Sequence, residues 1–234
     1  MKERPVIFNS EMVRAILNGR KTQTRRALNW KRQPYTEMAE RDDGSLWPWA
    51  EDGERGGDIW FSCPFGEVGD RLWVREAYQG PLFNFDQMET YLEDTSKFER
   101  PEFCEYRADG GKTPEYYDAD DNLRYGWKPS IHMPRWASRI LLEITAVRVE
   151  RLNDISEEDA KAEGVRALEN NFGNGPSYCD YLLPNLDDAA EWYNRASDSF
   201  KSLWKSIYGA ESWRANPWVW VIEFRRLEVR DASK

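Results

Sequence analysis

Apolar residues at spacing two are the clearest pattern in this chain. Within 139–151 they stand at 140, 142, 144 and 146, and within 218–227 at 218, 220, 222 and 224, with many β-branched or aromatic residues in both segments. This spacing is typical of β-strands that bury one face, so we expect a strand in each segment. A shorter strand is predicted for 72–75, directly after a turn signal at Gly69 and Asp70.

Helical periodicity marks three further segments. The first helix is predicted to be capped by Ser10 and to end before Gly19, which suits a left-handed C-terminal position. The second is predicted between Ser156, which is placed to cap it, and Gly164. The third covers 187–208, where the apolar stripe is more typical of a core-facing helix than of a ligand site.

The order of these elements predicts an α+β fold rather than a doubly wound sheet, because strands and helices do not alternate regularly. We expect a small β-barrel with flanking helices, formed by residues 1–234 as a single domain. Large insertions are predicted at about 33–60, 79–127 and 166–186, where the sequence is polar, rich in turn residues and without a clear period.

Composition indicates a folded, soluble chain. Hydrophobic residues make up 40% of the chain and aromatic residues 14%, including 12 tryptophans. No signal peptide and no long apolar run is present, so we expect a cytoplasmic protein without membrane contact.

The cysteines argue against a disulfide framework and against a zinc site. Cys63, Cys104 and Cys179 are widely spaced and odd in number, and His132 is the single histidine. We therefore expect reduced, partly buried thiols, no metal and no cofactor.

Positive charge is concentrated in one region of an acidic chain. The formal net charge is −9, yet residues 12–36 contain seven Lys or Arg residues and no acidic residue. The densest part, G-R-K-T-Q-T-R-R at 19–26, follows the first predicted helix. Its cations are explained equally well by interaction with the helix dipole or by a local binding role. The acidic remainder disfavours sliding along long nucleic acids, because that affinity depends on many cationic contacts to phosphate.

Four motifs occur in a fixed order along the chain. They are A-I-L-N-G-R-K-T-Q-T-R-R, V-G-D-R-L-W-V, I-L-L-E-I-T-A-V-R-V-E-R-L and V-W-V-I-E-F-R-R-L. Together they resemble the ASCH domain, a PUA-like β-barrel, and more narrowly the small bacterial N4-acetylcytidine amidohydrolases of that superfamily. The layout with long insertions is similar to longer ASCH proteins carried by tailed phages.

The resemblance implies three catalytic residues and a reaction. The catalytic lysine and threonine of the amidohydrolases correspond to Lys21 and Thr24, and their glutamate corresponds to Glu163. Other acidic residues of the same short helix, at 157–159, compete for the glutamate position. The implied reaction is metal-independent hydrolysis of an N4-acylcytidine nucleoside to cytidine and a carboxylic acid.

The chemistry of amide hydrolysis makes specific demands on these three residues. Lys21 acts as a base only when it is neutral, and we expect crowding by neighbouring arginines and partial burial to lower its pKa. Lys21 and Thr24 would lie on opposite faces of a regular strand, so their cooperation requires irregular backbone. We expect the end of the helix dipole to favour a protonated Glu163, which would deliver a proton to the leaving amine.

Four residues are candidates for binding the substrate. Arg26 either holds the acyl or base oxygen or pairs with an acidic residue, and Arg20 either contacts the ligand or terminates the helix. Trp73 either stacks on the base or belongs to the core. Glu76 is either a site residue or half of an ion pair with Arg75.

Two other functions remain open at the level of sequence. One is a non-catalytic ASCH or PUA-like protein that binds RNA or a modified base through the basic run. The other is a phage accessory protein whose acidic insertions bind another protein. The complete Lys, Thr and Glu set favours the enzyme acting on a small modified nucleoside, whereas the large insertions favour the other two.

Overall fold

The computed structural model describes residues 1–29, 37–117, 122–168, 175–187 and 192–228. Its strands are β1 (Glu3–Ile7), β2 (Gln23–Ala27), β3 (Glu37–Glu40), β4 (Leu46–Glu51), β5 (Asp58–Trp60), β6 (Arg71–Arg75), β7 (Tyr78–Gln79), β8 (Glu105–Tyr106), β9 (Glu115–Tyr117), β10 (Leu123–Tyr125), β11 (Leu141–Arg151), β12 (Ala167–Leu168), β13 (Ser177–Tyr178) and β14 (Trp218–Arg226). Its α-helices are α1 (Ser10–Leu17), α2 (Met88–Glu93), α3 (Glu157–Ala162), α4 (Ala196–Tyr208) and α5 (Ala210–Arg214). The expected α+β class is confirmed.

The chain divides into two compact units, which are described separately. The first contains Met1–Leu17, Asp70–Glu143 and the chain from Arg226 onward, and the second contains Asn18–Gly69 and Ile144–Arg225. The assignment of the whole chain to a single ASCH-like domain stays a prediction.

The first unit is built on strands β1, β6 and the start of β11, in that order. β1 runs parallel to β6, and β6 runs antiparallel to β11, where Leu141 lies opposite Trp73. Helix α1 buries Val13, Ala15 and Ile16, as its apolar periodicity predicts. The predicted insertion 79–127 belongs to this unit and contains α2 and short strand pairs, β7 with β8 and β9 with β10.

The second unit orders its main strands as β11, β14 and β2. β14 runs antiparallel to β2, and Ile222 lies opposite Thr24. Both faces of β14 are covered, because Val219 and Val221 on one face are as deeply buried as Trp220 and Ile222 on the other. Their side chains join a core cluster with Phe200 and Trp204 of α4, where each large apolar side chain contributes about 1.5–3 kcal/mol on burial.

Most of the strongly periodic elements were correctly predicted. The structure confirms a helix over Ser10–Leu17, strands over Leu141–Arg151 and Trp218–Arg226, and the short helix Glu157–Ala162. The side chain of Ser156 accepts the N–H of Asp159 as expected of an N-cap. The buried residues of α4 confirm that its apolar stripe is core.

Two expectations about the first 60 residues were wrong in detail. Asn9, not Ser10, caps α1, because the side-chain oxygen of Asn9 accepts the N–H of Met12. The loop-like sequence before Gly57 instead contains β3 and β4, which pair with β5 in a three-stranded sheet. Trp47 of β4 contributes to the packing of this sheet, since its ring lies edge-on to that of Trp220 with ring centres 5.3 Å apart.

The helix predicted from residue 187 begins later. Residues 188–191 lie outside the described part of the chain, and Tyr193 forms a β-bridge with Tyr178. Arg195 is extended, and α4 starts at Ala196. The apolar residues before Ala196 fit the helical spacing of α4, so the predicted helix began too early.

Candidate functional site

The basic run crosses the second unit between the end of α3 and strand β14. Gly19 has a φ of +73°, a left-handed conformation that favours glycine, and it separates the run from α1. Lys21 then forms an isolated antiparallel β-bridge with Glu163, and the N–H of Thr22 donates to the carbonyl of Ala162 at 2.8 Å. These backbone contacts fix the run against the last turn of α3.

Lys21 and Glu163 form a buried ion pair. Nζ of Lys21 lies 2.7 Å from Oε2 of Glu163 and also donates to the Glu163 carbonyl oxygen at 2.9 Å. Each residue is only 2% exposed. Lys21 and Glu163 are 142 positions apart in sequence, and both are implied to be catalytic by the motif resemblance. The structure places their side chains in contact.

Arg25 is the second cation on this carboxylate. Its guanidinium donates to Oε1 of Glu163 at 3.2 Å, to Asp159 at 3.1 Å and to Glu150 at 3.0 Å. The Arg25 side chain is fully buried, so it depends on these carboxylates to balance its charge. Glu163 therefore accepts a hydrogen bond from a cationic side chain on each of its two carboxylate oxygens.

A third cation extends the cluster toward solvent. Arg148 donates to Glu150, to Asp159 at 3.0 Å and to Glu223. Burial acts to raise the pKa of Asp159, but the charges of Arg25 and Arg148 outweigh it and hold that pKa below its usual value. We call this set the β2–α3 charge cluster; its members are Lys21, Arg25, Arg148, Glu150, Asp159, Glu163 and Glu223.

Burial lowers the pKa of Lys21 below its usual value of 10.5. The attraction and hydrogen bond from Glu163 oppose this effect, and the charges of Arg26 and Arg25 add to it. The predicted direction is confirmed, but its main cause is desolvation, with arginine crowding a smaller contribution.

Thr24 lies on the other side of β2 from the charge cluster. Gln23 and Arg25 both reach Asp159, so alternation along β2 directs Thr24 to the opposite face. It lies there opposite Ile222 of β14 and is 2% exposed. The structure thus brings together Lys21 and Glu163, whereas Thr24 lies on the other face of β2, so the expected cooperation of Lys21 with Thr24 is not seen.

The remaining arginines of the run contact the protein itself. Arg20 donates to the carbonyl oxygens of Gly164 at 3.0 Å and Val165 at 3.3 Å, so it holds the segment that follows α3. Arg26 is half-buried and donates to the hydroxyl of Tyr208 at 3.4 Å. The run is therefore built largely into the second unit.

Trp73 and Glu76 belong to the first unit. Trp73 is half-buried, and the guanidinium of Arg75 lies 5.3 Å from its ring centre. Glu76 is buried and accepts two hydrogen bonds, at 2.9 and 3.1 Å, from Arg139 rather than Arg75. Burial raises the pKa of Glu76, and Arg139 opposes that rise. The ion-pair interpretation of Glu76 therefore names the wrong partner.

Sequence reasoning missed the acidic and arginine partners that complete the charge cluster. A signal for them exists, because Arg148 and Glu150 alternate along β11 and Gln23 and Arg25 alternate along β2. Polar or charged residues at spacing two lie on one face of a strand, so this spacing indicates a polar face on each of the two strands.

A surface cavity of about 390 Å³ lies elsewhere in the second unit. It is lined by Arg41, Asp42, Asp43, Asp58 and Trp60, and none of the residues predicted to be catalytic borders it. Among the described residues, no group of three or more His, Cys, Asp or Glu side chains is arranged to hold a metal ion. Every helix in the described ranges is too short or too polar to reach across a bilayer.

Comparison with known proteins gives no relative for this chain. No family model matches it, and searches of the curated proteins and of the solved structures find no match.

Proposed function

We propose that the protein is a metal-independent amidohydrolase that removes the acyl group from N4-acylcytidine nucleosides, on a PUA-like ASCH barrel. The observation that carries the proposal is the buried contact between Lys21 and Glu163. The motif resemblance selects this pair from residues far apart in sequence, independently of any structure. Their contact is what a shared catalytic role requires.

The lowered pKa of Lys21 supports a role in proton transfer. In the proposed reaction, the oxygen of a water molecule bonds to the acyl carbon, and the bond from that carbon to N4 breaks. Neutral Lys21 takes a proton from the attacking water and, as the ammonium, gives it to N4. The products are cytidine, with its free amino group, and the carboxylic acid.

Glu163 acts in this scheme as the residue that positions Lys21 and stabilises its ammonium form. Because Lys21 and Arg25 both donate to its carboxylate, we assign proton delivery to Lys21 and not to Glu163. The role of Thr24, as nucleophile or as the group that positions water, rests on the motif resemblance alone. It requires β2 to rearrange, because Thr24 and Lys21 lie on opposite faces. Arg26 and Arg20 are proposed to lie near the substrate on the basis of the same resemblance.

The proposal includes an opening step. Lys21, Thr24 and Glu163 are each 2% exposed, so a nucleoside reaches them only after the residues that cover them move. We expect the site to open for entry of the nucleoside and to close again over it, as in enzymes whose sites close over the reactants.

The burial of Lys21, Thr24 and Glu163 is also compatible with a structural role for these residues. This favours a second candidate function, a non-catalytic protein that binds RNA or a modified base. In that case the β2–α3 charge cluster would only hold strand β2 against α3. The internal contacts of Arg20 and Arg25 weigh against this candidate, because cations held by the protein's own oxygens are not available to phosphate.

Cytidine release from N4-acetylcytidine, followed by chromatography with chelator present, separates the two candidates. We expect release by the wild-type protein and a loss of about 100-fold or more in Thr24→Ala. Thr22→Ala is the matched control, because Thr22 lies in the same motif and is exposed. No release by a folded wild-type protein, or equal rates in the two variants, contradicts the proposed chemistry.

A further inference from the structure

An exposed apolar stripe runs along a helical segment of the first unit. A single 3₁₀ turn, Phe85–Gln87, leads directly into α2, so 85–93 form one continuous helical segment. Phe85 is 87% exposed, Leu92 75% and Met88 40%. Their spacing of three and four residues places them on one face. Large apolar side chains grouped in this way mark interaction surfaces more often than isolated exposed ones do.

One residue of this segment, Tyr91, packs against aromatic rings of the same unit. The ring of Tyr91 lies 4.4 Å from that of Phe83 and 5.5 Å from that of Phe98. Phe98 is only 3% exposed and also packs against Phe103 at 4.8 Å. The exposed stripe is therefore presented by an anchored helix rather than by a frayed end.

Acidic residues accompany the stripe along its whole length. Asp86, Glu89 and Glu93 each follow one of the apolar residues by one position. Together with Phe85, Met88 and Leu92 they line a shallow groove of about 590 Å³. We call this surface the α2 face.

We propose that the α2 face binds a basic amphipathic helix of a partner protein. The apolar stripe fits the apolar side of such a helix, as in other helix-in-groove interactions. The parallel acidic row fits lysines or arginines beside that side, and such complementarity fixes orientation and partner choice.

The negative charge of the α2 face disfavours three other partners: a second copy of this chain, a nucleic acid and an anionic lipid surface. A second copy of this chain would bring an identical acidic row into the interface if it bound through the same face, which places like charges opposite one another. Nucleic acid and anionic lipid surfaces carry the same sign of charge as Asp86, Glu89 and Glu93. A cationic protein segment is the occupant with both the required shape and the required charge.

Fluorescence anisotropy with a labelled model helix tests the proposal. The probe is a peptide of leucine and lysine, about 14 residues long, with leucines at helical spacing. A second peptide carries glutamate in place of every lysine. Both are titrated with the full-length protein and with Phe85→Ser, Glu89→Lys and Ile131→Ser variants. Ile131 is the control because it is an exposed apolar residue of the same unit outside the α2 face.

We expect the lysine peptide to bind and the glutamate peptide not to bind. Affinity for the lysine peptide should fall about tenfold or more in Phe85→Ser and in Glu89→Lys, and stay unchanged in Ile131→Ser. Circular dichroism shows whether each variant is folded. The proposal is overturned if the lysine peptide fails to bind, or if its binding survives Phe85→Ser, since attraction by the acidic chain as a whole would then explain it. Dimerisation lost in Phe85→Ser would also overturn it, in favour of a second copy.

Discussion

Nζ of Lys21 lies 2.7 Å from Oε2 of Glu163 and 2.9 Å from the carbonyl oxygen of the same residue. One ammonium group therefore binds both the side chain and the backbone at the end of α3. Because both residues are almost fully enclosed, removal of Glu163 takes away the carboxylate that balances the buried ammonium, whereas removal of Lys21 leaves Glu163 its contact with Arg25.

Loss of one partner should destabilise the protein strongly. In Glu163→Leu, Lys21 and Arg25 both lose a carboxylate, and we expect the free energy of unfolding to fall by about 3–5 kcal/mol. Urea unfolding followed by tryptophan fluorescence measures the change.

The double variant Lys21→Met with Glu163→Leu separates charge from packing. We expect it to lose less stability than the sum of the two single variants, because it no longer buries an ammonium group that has lost its carboxylate. Exposed Glu158 supplies the control, and Glu158→Leu should change stability by no more than about 0.5 kcal/mol. Additive losses would show that the contact is energetically unimportant.

The lowered pKa of Lys21 predicts a pH dependence of stability. Between that lowered pKa and the usual value of 10.5, the unfolded chain binds more protons at this position than the folded chain. The cost of burying the ammonium is thus complete below this window and is relieved as the pH rises through it. The unfolding free energy of the wild type minus that of Lys21→Met should rise toward alkaline pH. A difference that stays flat or falls would rule out a depressed pKa.

The cap of α3 supports the segment that carries Glu163. The hydroxyl of Ser156 accepts the N–H of Asp159 at 3.0 Å. We expect Ser156→Ala to lower the free energy of unfolding by about 1 kcal/mol and Ser156→Asp to retain most of it, since aspartate also caps helices. Equal losses in the two variants, measured by urea unfolding, would exclude a capping role.

Close packing around Gly80 predicts a steric effect in the first unit. A Cβ at this position would lie 2.6 Å from Sγ of Cys104 and 2.9 Å from the carbonyl oxygen of Phe103. We expect Gly80→Ala to cost about 1–3 kcal/mol, measured by thermal unfolding. Gly111→Ala is the control because nothing lies within 4 Å of the Cβ it would add. Similar midpoints for both variants would contradict the packing described.

Local patterns predicted the elements that are regular over many residues. β11 and β14 carry long runs of apolar and β-branched residues, and α1 and α3 have helical periodicity with a glycine after each, so their approximate positions followed from short-range physics. The sheet of β3, β4 and β5 was missed because its short strands lie among turn residues. Its stability depends on contacts such as that of Trp47 with Trp220, which no local pattern reveals.

The residues of the candidate site were predicted only in part, because local sequence does not reveal tertiary contacts. The motif resemblance identified Lys21 and Glu163, and their contact agrees with it. It gave no indication of Arg25 as the second donor to Glu163, because the three carboxylates around Arg25 come from β11 and α3 and meet only through tertiary packing. The dominant cause of the lowered pKa of Lys21, its burial, is likewise a property of the folded chain.

The rate of cytidine release by Lys21→Met tests the central claim most directly. Lys161→Met is the matched control, because Lys161 is an exposed lysine on α3. With both variants shown to be folded, we expect wild-type protein and Lys161→Met to convert N4-acetylcytidine at similar rates, and Lys21→Met to be slower by about 100-fold or more. Turnover by Lys21→Met at the wild-type rate, or none by the wild type, would contradict the assignment of Lys21 as the proton carrier.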